Sequence, residues 1–155
     1  MSDEPAADSP AELKARALRF LARREHSRAE LSRKLAPHAE SAEALLFLLD
    51  ELEKRKQLSD ERYAEVRAHW MARKYGAGKI RQDLKAKGVA EEIAARRVST
   101  DGELERARGI LARKYRDAAT TAEEKARRMR FLQGRGFSFD TIRGALAVDE
   151  EGVRS

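Results

Sequence analysis

The chain has 155 residues, of which 41% are hydrophobic and 39% charged, with no cysteine and a formal net charge of +6 at pH 7. No disulfide or thiolate metal site is available to it, and its longest apolar run, Ala44 to Leu49, falls far short of the roughly 20 residues a membrane span needs. The apolar residues are too few for one thick core and suit several small bundles, each burying one stripe per helix.

Ala, Leu, Arg and Glu dominate, and all three prolines (Pro5, Pro10, Pro37) lie in the first quarter, so the expected fold is all-α. Residues 1–8 read as a disordered acidic tail. A first module, 9–57, opens where Ser9, Pro10 and Glu12 make a capping box with proline at the first helical position. Leu13, Ala17, Phe20 and Leu21 then mark one helical face. A second Ser-x-x-Glu start lies at Ser27, followed by Leu31 and Leu35 and stopped by Pro37. A third helix over about 41–56 points Leu45, Leu48, Leu49 and Leu52 inward.

A second three-helix module, 58–99, starts at Ser59, with Asp60 and Glu61 in the first turn where the helix dipole favours anions. It carries Tyr63, Val66, Trp70 and Met71, with Trp70 expected in the core. Gly76-Ala77-Gly78 breaks the chain before Ile80 and Leu84, and Gly88 precedes a helix holding Ile93. A third helical module, 100–147, contains Leu104, Ile110 and Leu111, restarts at Thr121 and ends on Ile142 and Leu146. An inserted segment is expected near 101–121, and residues 148–155 read as a second loose tail. Of Phe137 and Phe139, one is expected in the core and the other as an exposed anchor.

Three nine-residue segments repeat: 27–35, 76–84 and 138–146. In this register Leu31, Ile80 and Ile142 align, as do Leu35, Leu84 and Leu146. Upstream, Leu21, Trp70 and Leu132 coincide, followed three residues later by Arg24, Arg73 and Arg135. A large apolar residue, an arginine, a small turn residue and two apolar residues four apart describe a helix–turn–helix corner.

Charge is laid out in blocks. Residues 13–37, 67–88 and 106–136 carry +6, +6 and +7, and the stretches between and beyond them are acidic. Basic blocks recurring once per module favour a partner with repeating negative charge. Arg28, Arg33 and Lys34 on one corner, and Lys79, Arg81, Lys85 and Lys87 on the next, suit phosphate contact. Arg24, Arg73, Lys74, Arg127, Arg128, Arg130 and Arg135 complete the candidate partner-binding set. The three aligned arginines are equally suited to tying helices together. Asn is absent and Gln occurs only at positions 57, 82 and 133, which argues against sequence-specific base reading.

Nothing in the chain supports catalysis. The acidic pairs Asp50-Glu51, Glu91-Glu92 and Glu123-Glu124 point about 100° apart on a helix and cannot work as general acid and base together. Gly76-Ala77-Gly78-Lys79 lacks the strand and the Ser or Thr of a phosphate loop. It reads as a turn needing glycine's backbone freedom, with the next helix N-terminus open to an anion. Glu61, Glu65 and His69 share a helical face that reads as solvated charge rather than a metal site. No catalytic residue, metal or cofactor is expected.

Arg24-Glu-His-Ser-Arg-Ala-Glu-Leu-Ser-Arg-Lys-Leu35 resembles the first-module signature of the RecX family. Leu58-Ser-Asp-Glu-Arg-Tyr-Ala64, Arg73-Lys-Tyr-Gly76, Lys79-Ile80 through Leu84 and Lys87-Gly-Val89 resemble its central module, with Tyr63 where Phe is usual. Gly134-Arg-Gly-Phe-Ser138 is similar to its final module. The resemblance runs from about residue 11 to 147 and implies tandem three-helix repeats in an elongated, curved arrangement. It further implies binding to the RecA recombinase and its filament on single-stranded DNA. Inhibition of recombinase, ATPase and coprotease activity would follow, with a place in recombination, repair and the SOS response. The alternative is a sequence-independent nucleic-acid-binding protein without a RecA partner. A cytoplasmic monomer with no membrane contact is expected. Three stacked modules of roughly 20–25 Å each would span on the order of 70 Å.

Overall fold

The computed structural model describes the backbone of residues 5–154 and the side chains of residues 5–147. Among the described residues it is all-α: α1 (Pro10–Arg23), α2 (Arg28–Leu35), α3 (Ala42–Lys54), α4 (Asp60–Met71), α5 (Ala77–Ala86), α6 (Glu91–Arg97), α7 (Glu103–Lys114), α8 (Ala122–Gly134) and α9 (Phe139–Arg154). The helices start where short polar side chains satisfy orphan backbone donors. At α1 the full capping box forms: Ser9 Oγ accepts from the Glu12 N–H at 3.2 Å, and Glu12 accepts from the Ser9 N–H at 3.4 Å. Ser27, Ser41, Ser59, Thr121 and Ser138 cap α2, α3, α4, α8 and α9 in the same way. Pro37 ends α2 as expected, leaving only a single 3-10 turn over Ala36–His38.

Backbone packing divides the chain into two units. The first takes residues up to Val66 together with Leu84–Ala94; the second takes Arg67–Asp83 and everything from Ala95 onward.

In the first unit, α1, α2 and α3 close around Leu13, Ala17, Leu31, Leu35, Leu45, Leu48, Leu49, Leu52 and Leu58, all buried. Ser27 is completely buried and serves two purposes. Besides capping α2, its hydroxyl donates to the Lys87 carbonyl at 2.7 Å. The turn after α5 is thereby pinned against the start of α2, where Gly88 lies so close that an added Cβ would sit 2.4 Å from Ala29 Cβ. Gly88 also adopts φ +82°, a second reason for glycine there. Asp60 accepts from the Arg28 N–H at 2.7 Å. Of the acidic tail expected over 1–8, residues 1–4 lie outside the described residues. Asp8 is held: its N–H donates to the His38 carbonyl and its carboxylate takes two bonds from Arg16.

In the second unit, α7, α8 and α9 pack around Ala107, Ile110, Leu111, Leu132, Phe137, Ile142 and Ala145. The stretch 101–121 holds α7, a helix with its own buried stripe, and a loop. In the repeat register α2, α5 and α9 correspond. The first two modules place their third helix after that corner; here α7 precedes it, which is why the last repeat interval is longer. Helix α9 runs on to Arg154 through residues expected as a loose tail, since no proline follows Pro37 to stop it.

One expectation for a single side chain fails: Trp70 is 66% exposed, and Val66 on the same helix is 50% exposed. On α4 the buried side chains are Tyr63, Ala64 and Ala68, with alanines rather than Val66 and Trp70 facing the core beyond Tyr63. Of the two phenylalanines, Phe137 is buried and Phe139 is 59% exposed, with Arg143 4.6 Å from its ring centroid.

His26 is the buried titratable group of the first unit. Its Nδ1 lies 3.0 Å from the Arg24 carbonyl and its Nε2 3.0 Å from Lys34 Nζ. A neutral ring that donates from Nδ1 and accepts from the lysine ammonium satisfies both contacts. Burial pushes its pKa below the ordinary value, and the neighbouring positive charges of Arg24 and Lys34 act in the same direction. The unfolded chain therefore takes up this proton first as pH falls. The stability tied to neutral His26 is complete above about pH 6.5 and declines below it. Thermal melts of the protein and of His26→Gln between pH 7.5 and 5 are expected to diverge in slope below about pH 6.5. A parallel decline in both would remove His26 as the cause.

Candidate filament and nucleic-acid interface

The second unit brings two turns together backbone to backbone. The N–H groups of Gly76 and Gly78 donate to the carbonyls of Arg135 and Gly136 at 2.7 and 3.1 Å. A Cβ on Gly76 would lie 2.6 Å from the Gly136 oxygen, and one on Gly136 would lie 2.4 Å from the Lys79 nitrogen. Gly76 and Gly78 are not among the positive-φ residues, so they are required for close approach, not for conformational freedom as the sequence suggested. Gly136, at φ +90°, is required for both.

Between these two donors, the Ala77 N–H donates to Glu103 Oε1 at 2.9 Å. The N-terminus of α5 is thus occupied at Gly76, Ala77 and Gly78 by groups of the protein itself. The expectation that it stands open to an anion is corrected: Glu103, buried to 7% exposure, already supplies the anion.

The carbonyls of the turn that follows α4 are taken by arginines. Arg106 donates to the carbonyls of Ala72 and Tyr75 at 3.1 and 3.2 Å, and Arg113 donates to that of Arg73 at 3.1 Å. Cations suit this end of a helix on charge grounds as well. Sequence reading missed Arg106, Arg113 and Glu103; the seven-residue spacing of the two arginines on one face of α7 was their only trace.

The candidate residues separate into two groups. Many of them are committed internally. Arg24 pairs with Glu30 at 2.8 Å; burial raises the Glu30 pKa but the Arg24 hydrogen bond and charge outweigh it, leaving it below the usual range. Arg28 meets Asp50 at 2.7 Å and Glu53 at 3.2 Å. Lys34 sits on His26 and 5.1 Å from the centroid of Phe20. Arg128, offered as a contact residue, is buried to 6% exposure, donates to the Asp117 carbonyl and lies 4.5 Å from the Tyr115 ring centroid. Arg135 lies over Tyr75 and Phe131 at 5.3 and 5.1 Å, and Lys114 lies over the same Phe131 at 4.0 Å. These cation–π contacts link the α4–α5 turn, α8 and the end of α7. Of the three aligned arginines, Arg24 and Arg135 thus have partners within the protein.

The other group faces solvent. Arg33, Lys85, Arg127 and Arg130 are exposed, and Lys87 is partly so. Arg73, Lys74, Lys79 and Arg81 are exposed and cluster around the α4–α5 turn, with Arg73 5.1 Å from the Trp70 ring centroid. Residues 67–88 contain one acidic residue, Asp83, and Arg67 holds it at 3.0 and 3.2 Å. The turn is therefore a cationic surface on a rigid base.

The chain matches the RecX family in all three of its parts: the first three-helix domain at residues 14–44, the second at 59–96 and the third at 101–146. It is 45% identical over 138 residues to the regulatory protein RecX of Herbaspirillum seropedicae, covering 88% of this chain and 90% of that one. The regulatory protein RecX of Neisseria meningitidis serogroup C is 42% identical over 135 residues, covering 86% and 88%. The crystal structure of RecX from Lactobacillus salivarius superimposes with a TM-score of 0.81 at 20% identity, covering 92% of this chain and 97% of that one, and so shares the fold.

Gly136→Ala should destabilise the protein by roughly 1–3 kcal/mol, because it imposes strain at positive φ and a clash with the Lys79 backbone. Gly109→Ala, in the interior of α7 with nothing within 4 Å of the new Cβ, should stabilise it by about 0.5–1 kcal/mol. Urea denaturation of the two variants checks both signs; equal effects would remove the close approach as a constraint.

Proposed function

The chain belongs to the RecX family, and from that premise we propose that it binds the RecA recombinase filament on single-stranded DNA and restrains it. The restraint covers strand exchange, ATP hydrolysis and coprotease activity. The observation that carries this reading is the exposed cationic surface around the α4–α5 turn, held on a base that the protein's own hydrogen bonds make rigid. Arg73, Lys74, Lys79 and Arg81 are its centre, and Arg33, Lys85, Lys87, Arg127 and Arg130 extend the candidate set. Contact with acidic or phosphate-bearing surfaces of the filament would obstruct entry of partner DNA or alter subunit addition and loss. The action is steric and electrostatic, and the protein is not an enzyme in this reading. It needs no cofactor and works in the cytoplasm as a monomer. Among the described residues, no helix is long and apolar enough to cross a membrane.

A second reading, sequence-independent binding to bare nucleic acid, draws on the same cations. It is separated from the first by what a RecA coat does to affinity. Tighter binding to RecA-coated than to bare single-stranded DNA, with falling ATPase, supports the filament regulator.

The triple variant Lys74→Glu, Lys79→Glu, Arg81→Glu tests the surface. It should keep its helical circular dichroism and require at least about ten times the concentration to halve RecA's DNA-dependent ATPase. That is the effect expected of about 1.4 kcal/mol spread over three reversed charges. Undiminished inhibition would move the contact elsewhere.

A further inference from the structure

Trp70 is the one large aromatic side chain of the cationic turn that is not used for packing. At 66% exposure its indole lies open where α4 ends, with the Arg73 guanidinium 5.1 Å from the ring centroid. It borders a groove of about 600 Å³ whose lining includes Arg73, Lys74, Tyr75 and Lys79. Arg73, Lys74 and Lys79 have no carboxylate partner among the described residues, and the groove's own acid, Asp83, is held by Arg67. An exposed indole among cations without carboxylate partners buries little apolar surface on folding. It is the arrangement that recognises a polyanion with flat apolar faces.

We propose that this groove binds single-stranded nucleic acid directly, one base stacking on the Trp70 indole while Arg73, Lys74 and Lys79 meet the flanking phosphates. The inference deepens the proposed function by assigning the nucleic-acid contact to a defined place. A duplex cannot use the site, because its bases already stack on each other. An acidic peptide would satisfy the cations but leave the indole in water. A single strand satisfies both, and stacking accepts any base, in keeping with the absence of Asn from the chain. Arg73, lying over the indole, steadies it for that contact and adds its own planar face.

Trp70 is the only tryptophan in the sequence, so its fluorescence reports on this groove alone. The full-length protein is titrated with a short oligothymidylate and, separately, with inorganic polyphosphate. Saturable quenching by the oligothymidylate, deeper than by polyphosphate at equal occupancy, is the expected result. By anisotropy with labelled oligothymidylate, Trp70→Ala should weaken binding about 5- to 150-fold, and Trp70→Phe should retain part of the loss. Binding with unchanged Trp70 emission and an unaffected Trp70→Ala variant overturns the inference. So does a Trp70→Ala variant that binds bare oligothymidylate normally and only the RecA-coated strand weakly, because the groove is then a protein contact. Absence of any binding to bare oligothymidylate also overturns it, while ATPase inhibition decides the filament reading separately.

Discussion

The close approach of two backbones at Gly76, Gly78 and Gly136 is the constraint on which the second unit depends. Side-chain packing tolerates adjustments of an ångström; two N–H to carbonyl bonds at 2.7 and 3.1 Å between bare turns do not. They fix the position of Lys79 relative to Arg135 through main chain alone. The flanking cations then stand on a platform whose geometry does not depend on their own flexible side chains. Glu103 completes the platform by reaching the Ala77 N–H from α7, which spends the anion-binding capacity of the α5 N-terminus on internal structure. A turn that looks like a ligand cradle is in this way a joint.

Arginine has two separate tasks in this chain, and geometry separates them. Arg106 and Arg113 hold the carbonyls of the α4–α5 turn, Arg128 is buried against the Asp117 carbonyl, and Arg135 bridges two aromatic rings. The planar guanidinium suits these tasks because it combines directed donors with a face that stacks. Basic residues that a charge count treats alike are therefore not equally available to a partner. The third block, 106–136, is the most positive by count, yet Arg106, Arg113, Lys114, Arg128 and Arg135 all have internal contacts.

Much of the fold was legible in the sequence because it was written locally. Helix-capping serines and threonine, the Pro37 stop and the Leu31/Leu35, Ile80/Leu84 and Ile142/Leu146 stripes depend on residues within one turn or two. Trp70 was misplaced for a physical reason. Its alignment with Leu21 and Leu132 assumes that the helix upstream of each corner presents the same face, and it does not. Leu132 is buried, but on α4 the burial falls to Tyr63, Ala64 and Ala68. A reading that weights large apolar residues overlooks an alanine stripe, since alanine adds little hydrophobic area although it permits close helix packing. The order of helices in the third module was hidden likewise, because nothing local says whether α7 packs on the corner that follows it. The backbone joint was hidden further still, since Gly76 and Gly136 lie far apart in sequence and the contact between their turns has no local signal.

What leaves a basic surface exposed is the supply of acid nearby more than the number of cations. In the first unit Arg24, Arg28 and Arg62 find Glu30, Asp50 with Glu53, and Glu25 within 2.7–3.2 Å, because the sequence around them is rich in carboxylates. Ion pairs of this partly exposed kind add little to stability, yet each cancels a charge that a partner would otherwise meet. The block 67–88 has the same net charge as 13–37 but a single carboxylate, Asp83, which Arg67 holds. Its cations stay directed at solvent beside the backbone joint, and an indole lies open next to them. Equal net charges thus produce one internally paired module and one available surface, and the distribution of acids decides which is which.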